Sequence, residues 1–192
     1  KSIWQSKEGQ PVLVENREYR FYATPVNGRL MDVKVTFTAP YGDVRCGDTK
    51  EGGIVSVRMR DTMTEKNGGT ITNAEGLKGM AECWGKPSPW CDYSAPVDEK
   101  GVYGLTIFDH PSNLRYPTSW HVRDYGLMGA NCFGYSHFTK GEKNGDFTLK
   151  NNESLTFRYR VFVHAGDATK AMVAERFSDF TNTPKLSWID PK

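Results

Sequence analysis

Leu155-Thr156-Phe157-Arg158-Tyr159-Arg160-Val161-Phe162-Val163 places Leu155, Phe157, Tyr159, Val161 and Val163 on one side, which is the period of a β-strand with one face against a core. The same period recurs upstream. Val33, Val35, Phe37 and Ala39 alternate with Lys34, Thr36 and Thr38; Tyr19, Phe21 and Ala23 share a side; Gly53 to Met59 repeats the pattern. Val102 to Phe108 is apolar at nearly every position, as in a central strand covered on both faces. Turn-rich stretches separate these runs: Lys66-Asn67-Gly68-Gly69, Lys86-Pro87-Ser88-Pro89, His110-Pro111-Ser112-Asn113 and Lys143-Asn144-Gly145-Asp146. Short strands punctuated in this way predict an all-β fold, a β-sandwich. A single C-terminal helix is expected, with Asp167 as its N-cap and Met172, Val173, Phe177, Phe180 and the stem of Arg176 on one side, packed across an end or edge of the sandwich.

The chain has 192 residues, 38% of them hydrophobic and 12% aromatic, enough for one core and one domain spanning residues 1–192. Lys plus Arg number 25 against 23 Asp plus Glu, a net charge of +2 that provides no field for a polyanion. Arg58 with Arg60 and Arg158 with Arg160 read as outer strand faces, so no nucleic-acid partner is expected. No apolar run approaches the ~18 residues of a membrane span, so no membrane partner is expected either. Lys1 to Glu8 lacks the features of a signal peptide, so a targeting segment is absent or already removed. The expected location is periplasmic or secreted, with the cytoplasm as the alternative.

Cys46, Cys83, Cys91 and Cys132 lie 37, 8 and 41 positions apart, which matches neither a zinc site nor a CxxC motif. They are two disulfides in any of three pairings, or buried thiols; the second is the favoured reading. A metal site built from His110, His121 and His137 has undiagnostic spacings of 11 and 16, and no metal or cofactor is expected.

Three clusters carry candidate chemistry. His110 ends the apolar strand, and His121, Arg123 and Tyr125 alternate onto one strand face, presenting an acid–base group, a cation and a phenol in a row. Gly47-Asp48-Thr49-Lys50-Glu51-Gly52-Gly53 gathers two carboxylates and an ammonium between glycines. Trp84, Trp90, Trp120, Tyr93 and Tyr125 lie in the same half of the sequence, and flat aromatics beside such groups suit sugar rings; core filling is the competing role for each. Asn131 bonds a hydroxyl or caps a turn.

As a set, GDTKEGG (47–53), ITNAEG (71–76), WGKPSPWCDYS (84–94) and DHPSNLRYPTSWHVRDYGLMGANCFG (109–134) resemble the bacterial family catalogued as methane oxygenase PmoA-like, a domain of unknown function, and SLTFRYRVFVHAGD (154–167) fits its last strand. The resemblance implies a sandwich of the galactose mutarotase-like supersandwich type. It also implies that the chain is the C-terminal part of a longer polypeptide, whose missing N-terminal segment, with a His-rich motif, associates with it. Family members tend to occur in bacteria rich in glycan-degrading genes. The leading expectation is a carbohydrate-active enzyme, a glycoside hydrolase, lyase or epimerase. In it His110 or His121 moves a proton, Glu51 is its partner, and Arg123 with Lys50 steadies negative charge. Asp48, Lys50, Trp90, Tyr125 and Asn131 bind the carbohydrate. The alternatives are a non-catalytic glycan-binding module and, following the family's label, a metal-dependent oxidoreductase.

Overall fold

A computed structural model describes residues 1–23 and 28–182. In chain order its elements are β1 (Ser2–Gln5), β2 (Pro11–Tyr22), β3 (Gly28–Thr38), β4 (Val44–Cys46), β5 (Val55–Arg58), β6 (Thr70–Asn73), α1 (Gly79–Cys83), β7 (Trp90–Pro96), β8 (Val102–Asp109), β9 (Ser119–Val122), β10 (Leu127–Asn131), α2 (Tyr135–Phe138), β11 (Phe147–Leu149), β12 (Ser154–Ala165) and α3 (Val173–Thr181). Seven strands form one antiparallel sheet in the order β1-β2-β3-β12-β8-β7-β6. Against it lie the sheets β5-β10-β9 and β11-β4. This is an all-β sandwich with one helix near the C-terminus.

The period-2 strands fill the space between the layers. Val33, Val35, Phe37, Ile107, Phe157 and Tyr159 come from the large sheet, and Trp120, Val122, Met128 and Ala130 from the small one; all are buried. Burial of a large aliphatic or aromatic side chain contributes roughly 1.5–3 kcal/mol, so the alternating stripe dominates the stability of this layer pair.

The central strand β12 is dry on both faces over much of its length. Phe157, Tyr159 and Val161 point into the sandwich, while Arg160, Phe162 and His164 are buried on the opposite side. The cover there is α3, whose Val173 and Phe180 pack with Trp90, Phe108 and Phe162. The helix therefore lies on the outer face of the seven-stranded sheet rather than across an end. It also begins later than expected. The Asp167 carboxylate accepts the Lys170 N–H at 2.8 Å, closing a separate turn, and Met172 adopts φ 55°, so the helix starts at Val173. Met172 is consequently exposed, and Arg176 extends to Asp179 at 2.9 Å instead of laying its stem on the core.

Two other expectations change. Arg160 is 9% exposed and locked to Asp32 at 2.6 Å, not solvated on an outer face. Tyr19 and Phe21 do share a side, yet are 52% and 75% exposed. They line a groove of about 580 Å³ together with Val161, Val163 and Val55, where the hairpin β2-β3 continues beyond the edge strand β5. All four cysteines are free thiols, and burial pushes Cys83 and Cys132 up to about 12.

Candidate functional site

The Gly-flanked loop and the His/Arg strand, far apart in sequence, meet in the fold. Asn131 ends β10, and its amide donates to the carbonyls of Thr49 at 2.9 Å and Lys50 at 2.7 Å, while its own carbonyl accepts the Phe133 N–H at 2.8 Å. It thus caps and pins the loop, and is fully buried, out of reach of a ligand hydroxyl. Asp48 fastens the other side. One carboxylate oxygen accepts the N–H groups of Ser136 at 2.9 Å and Gly145 at 2.6 Å, and its own N–H donates to Asp146 at 2.7 Å. Burial alone would raise the Asp48 pKa; the Gly145 and Ser136 N–H groups outweigh it and hold the carboxyl below its ordinary value.

His121 lies beneath this loop on the outer face of the three-stranded sheet, opposite Gly129. Its Nε2 accepts the Arg123 Nε–H at 3.1 Å, and the Lys50 backbone bonds the same ring. The ring is 4% exposed. Burial and then the Arg123 guanidinium lower its pKa, with Glu51 opposing. Arg123 also lies over Trp84, 5.6 Å from the ring centroid. Tyr125 leaves the row: β9 ends at Val122, and Tyr125 sits on the turn with the Arg58 guanidinium 4.8 Å from its ring centroid.

His110 belongs to another region. Its Nδ1 bonds the Ser112 hydroxyl at 2.8 Å and its ring meets Phe180 edge-on at 5.2 Å. Burial, then Arg158, lower its pKa. It shares no described contact with Glu51 or His121. Trp90 is 8% exposed under α3 and Trp120 is fully buried, its indole donating to the Ser88 carbonyl at 2.8 Å. Both are core residues.

Glu51 and Lys50 remain outward. The Glu51 side chain is 66% exposed, with the Lys50 ammonium 3.9 Å away. Glu51 stands on the wall of a cleft of about 510 Å³ whose other lining includes Trp4, Phe37, Phe133, Thr49 and Arg45. Trp4 is 50% exposed. It is fixed by its indole N–H donating to Glu15 at 2.8 Å and by an edge-on contact with Phe37 at 5.8 Å. Arg45 is turned to Asp146 at 2.6 Å. Sequence reading missed Trp4 and Phe133; the one signal was a tryptophan set among polar residues in Lys1 to Gln10. Among the described residues no group of three or more His, Cys, Asp or Glu side chains could hold a metal, and no helix is long and apolar enough to cross a membrane.

The fold and this geometry define a β-sandwich domain with an aromatic cleft beside a tightly bonded polar loop. Comparison with protein families matches residues 1–178 to a family of unknown function, DUF6807, and the chain belongs to that family. No curated protein matches it. The matching family is not the PmoA-like one that the motifs resemble, so that label lends no support to a metal-dependent oxidoreductase.

Proposed function

We propose that this chain is a carbohydrate-binding domain that takes a sugar ring into the cleft between Trp4 and Glu51. The supporting observation is the pairing of a half-exposed, rigidly held indole with a solvent-facing carboxylate across one concave, mostly apolar surface. A sugar offers C–H faces to the indole and hydroxyls to the carboxylate, and an orienting polar group over an apolar floor is the usual composition of a small-ligand site. The test is a titration of the chain with cello-, xylo-, manno- and galacto-oligosaccharides followed by tryptophan fluorescence. Saturable quenching by one of them, lost in Trp4→Ala, is expected; no response to any, or an equal response in Trp4→Ala, overturns the proposal.

A catalytic version, with Glu51 as the acid–base group and His121 as its partner, draws on the placement of His121 on the strand against which Asn131 pins the Thr49–Lys50 segment beside Glu51. Nε2 already accepts the Arg123 Nε–H, so proton transfer through that nitrogen requires Arg123 to release it first. Sugar release with a rate that vanishes in both Glu51→Gln and His121→Ala supports that version; binding without turnover supports the binding domain.

A further inference from the structure

On the outer face of the seven-stranded sheet, charged side chains form two rows across β2, β3 and β12. Arg20, Asp32 and Arg160 are register partners in one, Glu18, Lys34 and Arg158 in the next. Glu18, Arg20, Asp32, Lys34 and Arg158, with Phe180 from the last turn of α3, line a hollow of about 570 Å³, within the size range of small-ligand sites. Three cations meet two carboxylates in that lining. The carboxylates are taken: Glu18 by Lys34 at 2.9 Å, and Asp32 by Arg160 at 2.6 Å, with the Tyr22 hydroxyl donating to Asp32 as well. Arg20 contributes to the electrostatic lowering of the Glu18 pKa, after Lys34, but has no hydrogen bond or ion pair among the described residues. Among the described residues the Arg158 guanidinium donates only to the neutral Ser112 hydroxyl, at 3.2 Å.

We propose that this hollow binds the oxyanion of a small acidic ligand, held between the guanidinium groups of Arg20 and Arg158. The two backbones stand two strand spacings and one side-chain step apart, roughly 9–10 Å by ~7 Å, within the combined reach of two arginine side chains. Guanidinium forks match carboxylate, sulfate and phosphate alike. The wall beyond them is half apolar: Phe180 packs on the Arg160 guanidinium at 4.8 Å and on the His110 ring. That wall excludes water from one side of the anion, strengthening its attraction, and supplies a surface for the ligand's carbon skeleton. His110, bonded to Ser112, helps hold the strand end where Arg158 emerges.

The test follows the Arg side-chain N–H signals of the whole chain by NMR during titration with sodium sulfate, sodium phosphate or sodium acetate, against sodium chloride at equal ionic strength. Saturable shifts at Arg20 and Arg158, with dissociation constants near ~1 mM and absent with chloride, are expected. Saturation by acetate alone identifies a carboxylate ligand, and saturation by sulfate or phosphate alone a tetrahedral one. Arg20→Gln and Arg158→Gln alter exposed side chains and are expected to weaken binding at least tenfold with unchanged thermal unfolding. Equal shifts with chloride, or undiminished binding in both variants, overturn the proposal. The sugar titration of Trp4 is a separate readout and is unaffected by either result.

Discussion

The polar groups around His121 and those around Trp4 lie on two sides of the same loop, and they differ in what remains available to a ligand. At His121, Asn131 and Asp48, most side-chain donors and acceptors are matched inside the protein at 2.6–3.1 Å, while one Asp48 carboxylate oxygen is buried without a partner and Arg123 donates only its Nε–H, to His121. At the cleft, the Glu51 carboxylate and one face of Trp4 meet solvent. A dense polar constellation is therefore not in itself a site; buried polar groups are matched because leaving them unmatched is costly.

The sharpest way to break the comparison is Asn131→Ala. It removes the Asn131 bonds to the Thr49 and Lys50 carbonyls and the Phe133 N–H, and about 3–4 kcal/mol of unfolding free energy is expected to be lost in denaturant titration. A loss near zero contradicts the structural role of the loop anchor.

Asp109 supplies a pH readout from a second internally matched site. Burial raises its pKa from 3.8 to about 6, against the Asn113 and Thr118 bonds that favour the anion. The folded state therefore takes up this proton at higher pH than the unfolded chain. Stability from this group is greatest below pH ~4 and declines as pH rises through about 6, by up to about 3 kcal/mol in all. Asp109→Asn is expected to remove that slope from pH-dependent melting.

The cleft variants act on affinity. Trp4→Ala is expected to weaken sugar binding tenfold or more, equal to about 1.4 kcal/mol, with little change in melting because Trp4 is on an edge strand. Glu51→Gln keeps the shape and some hydrogen bonding, so a smaller loss, a few-fold, is expected. His121→Ala reverses the pattern: about 1–2 kcal/mol of stability is lost with its bonds to Arg123 and Lys50, and sugar affinity is retained.

The strands were legible because their period is local: Val33 to Ala39 and Leu155 to Val161 show their inner side without knowledge of their neighbours. The second dry face of β12 was not, because Arg160 reads as polar until Asp32 and Phe180 are brought to it by β3 and α3. The helix start was displaced because Asp167 satisfies its own turn. The Gly-flanked loop meets the His121 strand, but the two do not line one hollow: Glu51 stands on the cleft wall and His121 is buried beneath the loop. Which of those groups stay open to a ligand depends on backbone partners such as the Lys50 carbonyl, which side-chain patterns do not encode. Trp4 escaped notice for the reverse reason: its value lies in the exposed face left after Glu15 and Phe37 have fixed it.

The account is tested most directly by residue-resolved NMR mapping of the oligosaccharide that quenches tryptophan fluorescence. Shifts concentrated at Trp4, Phe37, Thr49, Glu51 and Phe133, with His121 and Arg123 unmoved, are the predicted result. Shifts centred on His121 and Arg123, with Trp4 silent, contradict it.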